Sequence, residues 1–164
     1  MSTQITLAGG AVATVDAVDG DLAAASWFRN ANGYAICNIG ARPGRQTARM
    51  HRIIMRRVLG RELERWEMVD HIDGDPLNNR RGNLRLATNS QNQFNRDLPA
   101  HNRTGYKGVS LNSPSCTQRP YQAAIMVNRK KIYLGSYPTA QEAARAYDDA
   151  ARRLAGEYAR GNFS

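Results

Sequence analysis

The sequence predicts an α+β chain: a compact strand–strand–helix (ββα) unit, then a three-stranded antiparallel sheet packed on one helix. Three observations predict it. Residues 69–96, VDHIDGDPLNNRRGNLRLATNSQNQFNR, run from a strand-like stretch through turn residues to a second strand and a helix-start signal. Residues 105–137 hold three strand-like runs, GYKGVSLN, PYQAAIMVN and KKIYLGSY. After them, Ala143, Tyr147, Ala150 and Leu154 recur at helical spacing. At 164 residues the chain can hold one ordinary domain or two small ones.

Residues 1–48 read as an N-terminal β-rich region. Ile5, Leu7, Ala11-Val12-Ala13 and Val15 are apolar around Gly9-Gly10. DGDLAAASWF allows a helical turn or two, GYAICNI a strand, and ARPGRQT a turn at Pro43 and Gly44. From His51 to Leu59 the pattern is helical, with Ile54 and Val58 on one side, Arg52 and Arg56 on another, and Gly60 as the stop. VDHI and LRLAT are strands, and DGDPLNNRRGN between them is a turn in which Asn78 and Asn79 read as turn formers. Thr88 with Gln91 makes a capping box, which puts Asn92 in the first turn of a helix. RDLPAHNRTG reads as a linker, taken as 98–104 between a module at 49–97 and another at 105–164. In the second module Thr139 and Glu142 cap the last helix. Ala123, Ile125, Val127, Ile132 and Leu134 are expected under that helix, with Gln122, Met126, Lys131 and Tyr133 on the open face.

The net charge is +9 and the sequence pI about 10.1. So basic a chain favours an anionic partner, nucleic acid first. No long apolar run, lipidation signal or secretory leader is visible, which argues against a membrane partner and for a cytoplasmic, DNA-associated protein. Cys37 and Cys116 lack ligand-spaced Cys or His neighbours, so neither zinc nor a disulfide is expected. The charge is uneven. Residues 49–65 carry six arginines against Glu62 and Glu64, while 66–99 is slightly acidic, with Asp70, Asp73 and Asp75 close together. A small acidic pocket in a basic protein suits a metal ion at a DNA phosphate.

Asp70 offers a hard anionic oxygen and Asn92 a neutral one, a donor pair that suits one Mg²⁺ (or Mn²⁺) rather than Zn²⁺. His71 has the ordinary basicity of a general base. As neighbours on a strand, Asp70 and His71 should point to opposite faces unless a twist or bulge intervenes. Arg52, Arg56, Arg80, Arg81 and Arg85 are candidates for phosphate contacts. His51 is read as a packing or phosphate-contact residue, and His101 as solvated. Alone, Asp70 and Asp73 could be mere turn residues; the full spacing of Asp70-His71, Asn83 and Asn92 favours a site.

That spacing, with the lead-in HRIIMRRVLG, resembles the HNH nuclease family over residues 50–97, in the homing-type version where Asn replaces the last His. The resemblance implies a ββα-metal core that cuts double-stranded DNA. It makes His71 catalytic, Asp70 and Asn92 metal ligands, and Asn83 the residue that ties the motif loop and orients His71. GYKGVS, YQAAI, YLGSYPTAQEAARAYDDAA and NF resemble the plant ethylene-response-factor (apetala-type) DNA-binding domain over about 103–163. This implies that Lys107, Ser110, Asn112, Met126, Lys131, Tyr133 and Ser136 face DNA. Ser110 and Asn112 stand where arginines are usual, and Tyr121 and Tyr133 where tryptophans are usual, so the recognised sequence should differ. The competing reading is a sequence-specific DNA-binding regulator with an inactive nuclease half. One such centre cuts one strand, so monomer and homodimer both stay open.

Overall fold

Alternating apolar residues build the first hairpin. β1 (Ser2–Thr6) pairs antiparallel with β2 (Val12–Asp16), and Ile5, Ala13 and Val15 turn inward. The structure, a computed structural model, describes residues 1–40, 44–96, 98, 101–113, 115–116 and 118–163. The expected turn residue Pro43 and linker residue Pro99 lie outside them. Two compact units are found, Met1–Ala87 and Thr88–Ser164.

In the first unit a 3-10 helix, Ala17–Ala24, buries Asp19 and Leu22. β3 (Phe28–Arg29), β4 (Ala35–Ile39) and β5 (Gln46–Arg49) form an antiparallel sheet in the order β3-β4-β5. Helix α1 (Met50–Leu59) buries Met50, His51, Ile54 and Met55, and ends where Gly60 takes a left-handed φ of 65°. β6 (Met68–His71) then pairs antiparallel with β7 (Leu84–Ala87), Asp70 opposite Arg85 and His71 opposite Leu84.

The first residues and the motif strands share one core, with Ile5, Leu7, Val15, Trp27, Met50, Ile54, Val69 and Leu84 in a single cluster. Polar groups reinforce it. Thr14 donates its N–H to the Leu77 carbonyl and accepts from the Asn79 N–H. Asp19, fully buried, takes two bonds from Arg81 (2.8 and 3.0 Å) and one from Arg57 (3.1 Å). A buried carboxylate without such partners would be strongly destabilising.

The second unit opens with α2 (Asn89–Asn95), whose Thr88 and Gln91 make the expected capping box. β8 (Val109–Leu111), β9 (Tyr121–Val127) and β10 (Lys130–Tyr137) form an antiparallel sheet in the order β10-β9-β8. Asn128 and Arg129, both at positive φ, make the two-residue turn between β9 and β10. Helix α3 (Ala140–Ala155) covers one sheet face, and its buried alanines allow close approach. Gly108, at φ 71°, sits against the Tyr147 ring, where any Cβ would collide. Phe94 of α2 joins Ile125, Tyr147, Ala150 and Ala151 in one cluster. Ile132 pairs with Ile125 as expected but stays 43% exposed, because β10 is an edge strand. Among the described residues no helix is long and apolar enough to cross a membrane.

Candidate active site

Strand β6 places Asp70 and His71 side by side, both nearly buried, against different neighbours. Arg85 stands opposite Asp70 and donates Nε (3.0 Å) and Nη2 (2.9 Å) to Oδ2. His71 instead meets Tyr34, with ring centroids 5.9 Å apart, and His51, edge-on at 5.2 Å. Tyr34 and His51 also touch, at 4.9 Å.

The loop between β6 and β7 sets which nitrogen of His71 carries the proton. Asn79, fully buried, donates its side-chain N–H groups to the Leu77 (3.1 Å) and Pro76 (3.4 Å) carbonyls. Its Oδ1 is therefore the atom turned to His71 Nε2, 3.3 Å away. An amide oxygen can only accept, so Nε2 carries the proton and Nδ1 holds the basic lone pair. Burial pushes the ring below its ordinary pKa, while the Asn79 bond and the charges of Asp73, Asp70 and Asp75 pull the other way.

Asn83 ties that loop together. Its amide donates to Asp73 Oδ1 (2.9 Å) and the Asn78 carbonyl (2.8 Å), and its oxygen accepts from the Asp73 N–H. The amide that meets His71 Nε2 is that of Asn79, which lies on the loop that Asn83 ties together. Asn92 lies in the first turn of α2, in the second unit, half-buried. Among the described residues no three His, Cys, Asp or Glu side chains converge as a metal cluster. Asp70 offers a buried carboxylate oxygen, which fits a hard ion completed by water and phosphate better than a thiophilic one.

The five candidate arginines divide. Arg81 is held by Asp19 and Arg85 by Asp70, so both serve the protein's own carboxylates. Arg52 donates to the Glu67 carbonyl, Arg56 pairs with exposed Glu62, and Arg80 bonds Asn78. His51 is buried and its Nδ1 is without a hydrogen-bond partner among the described residues. Sequence reading passed over Tyr34 and took Asn79 as a turn former; the adjacent asparagines gave no sign of which one turns inward.

In the second unit Lys107 corrects an expectation. Expected at the DNA face, it is buried, and its Nζ donates to the Phe94 (3.0 Å) and Arg160 (2.7 Å) carbonyls. A lysine so placed joins the chain's end to α2. The other six positions differ. Ser110 and Ser136 both pair with Gln122, Lys131 with Met126 and Tyr133 with Ala124, which puts them on the face away from α3. Asn112 donates to Ser136 Oγ (2.8 Å), and the Tyr133 hydroxyl meets the same Oγ (2.7 Å).

Residues 48–94 match the model of the HNH endonuclease family called HNH_3. The chain is 31% identical over 137 residues to an HNH endonuclease of Acanthamoeba polyphaga mimivirus, covering 83% of this chain and 66% of that protein. It is 50% identical over 42 residues to Protein 3.8 of Escherichia phage T7, 26% of this chain and 35% of that one. An ethylene-responsive transcription factor of Medicago truncatula is 39% identical over 77 residues, 46% of this chain and 31% of the plant protein. The chain thus spans just under two thirds of the mimivirus relative and about a third of the other two. With the β6–loop–β7–α2 order lying in the matched region, residues 48–94 of the chain are a domain of the HNH endonuclease family.

Proposed function

We propose that the chain is a metal-dependent endonuclease that hydrolyses a phosphodiester bond of double-stranded DNA, homing-type in its site, with the sheet of residues 105–164 helping to choose where. The observation that carries this reading is His71, buried, with its Nε2 held against the Asn79 amide oxygen. A general base needs a lone pair at a fixed atom, and Nδ1 supplies it.

In this reading His71 Nδ1 takes a proton from water as the water oxygen bonds to phosphorus. The bond from phosphorus to the 3′ oxygen breaks, and that oxygen is protonated from solvent. Asp70 and Asn92 would hold one Mg²⁺ or Mn²⁺. When bound, the ion supplies positive charge at the phosphate and the leaving oxygen. Arg85 holds the Asp70 carboxylate in place through Nε and Nη2. Asn83 holds the 73–83 loop so that Asn79 stays on the His71 ring. Phosphate contact falls to Arg52, Arg56 and Arg80, since Arg81 and Arg85 are engaged by carboxylates.

The second unit is read as an apetala-type domain, on the strength of the plant-factor matches and of Ser110, Asn112, Met126, Lys131, Tyr133 and Ser136 on or beside one sheet face. Strands can read the major groove. The test is supercoiled plasmid incubated with the full chain and Mg²⁺, Mn²⁺ or EDTA. Metal-dependent nicking or linearisation is expected. Retained binding with no cleavage on any substrate would favour a DNA-binding regulator instead.

A further inference from the structure

We propose that an open depression between β5 and α1 seats phosphates of the DNA strand flanking the cleaved bond, and that Arg49 holds the phosphate nearest His71. The inference rests on the endonuclease reading and adds a path for the strand. The depression is lined by Gln46, Thr47, Arg49, Arg52, Ile53 and Arg56. Three guanidiniums on one wall, with hydroxyl and amide donors beside them, is the chemistry that binds a phosphate backbone without reading bases.

The wall leads to the candidate base. The Arg49 guanidinium lies 6.0 Å from the centre of the Tyr34 ring, and that ring lies 5.9 Å from His71. One strand carries a charge about every 3.4 Å of helix axis, so Arg49 and His71 are separated by only a few nucleotides. Existing bonds do not block the depression. Arg49 has no carboxylate partner among the described residues. Arg56 pairs with Glu62 in the open, an ion pair worth little that a phosphate can replace. Arg52 is steadied by its bond to the Glu67 carbonyl.

Arg49 is also locally misplaced. It is the N-cap residue of α1, with no side-chain cap bond and no acidic residue in the first turn. Helix starts favour Ser, Thr, Asp or Asn and disfavour cations. A local rule broken at a helix start marks a place where something other than the helix sets the residue.

The experiment measures binding of the full chain to duplex DNA in EDTA across a salt series. Arg49→Gln and Arg56→Gln should each flatten the slope of log affinity against log salt by about 0.9, the share of one phosphate contact. Arg153→Gln, at an exposed position on α3, should not. With Mg²⁺ and saturating DNA, Arg49→Gln should slow cleavage more than Arg56→Gln does. Unchanged slopes in both variants, with melting temperatures intact, would overturn the proposal. So would flattening seen with structured RNA but not with duplex DNA. A chain that never cuts yet shows both slope changes would remove the endonuclease reading and leave the phosphate seat. Cleavage with unchanged slopes would do the reverse.

Discussion

His51 shows how one buried side chain writes a pH dependence into stability. Burial, then the charges of His71, Arg49 and Arg52, push its pKa from 6.5 to about 3. In the unfolded chain the ring takes a proton near 6.5. Between those values the unfolded state binds more protons than the folded one, so stability falls as pH falls below 6.5. The loss approaches about 1.4 kcal/mol per pH unit. Denaturant melts from pH 7 to 4 should show that limb, and His51→Phe should flatten it. A limb unchanged in the variant would assign the acid loss to other groups. Asp19 acts lower: the Arg81 bond outweighs its burial and, with Arg57, holds its pKa below 3.8, so its contribution is lost only in stronger acid.

Elements are where sequence and structure agree best. Helices α2 and α3 begin at Thr88 and Thr139, the capping-box residues, because those side chains reach N–H groups within one turn. The sheet faces were legible from strict alternation in β9. What was not legible depends on distant contacts. Nothing near Lys107 signals that its ammonium ends on the carbonyls of residues 94 and 160. Nothing near Asn79 signals that Thr14 fixes its backbone. Two substitutions test the elements. Gly108→Ala places a methyl on Tyr147 at a left-handed φ and should cost about 2–4 kcal/mol, read as a lower melting transition. Asn83→Ala removes two donors and an acceptor from the 73–83 loop and should cost about 1–3 kcal/mol. Its cleavage rate should fall at saturating DNA, where weaker binding alone would not show.

Across the whole chain the division by function and the division by packing do not coincide. The family match ends at residue 94, yet the first compact unit ends at Ala87. Phe94, on the helix that carries Asn92, packs with Ile125, Tyr147 and Ala150. Deleting residues 103–164 would strip that helix of its core. Such a truncation should lose cleavage chemistry as well as site preference. Substitution on the sheet face alone, as in Tyr133→Ala, should alter site preference and leave the nicking rate on plasmid nearly unchanged. Full cleavage by the truncated chain would show that α2 holds its place without the second core.

The most direct test of the central claim is His71→Ala beside the wild-type chain, with DNA binding in EDTA and plasmid cleavage in Mg²⁺ measured on the same preparations. Loss of cleavage by at least about a hundredfold, with binding within about threefold, is the expected result for the general base. Full metal-dependent cleavage by the folded variant would contradict the assignment.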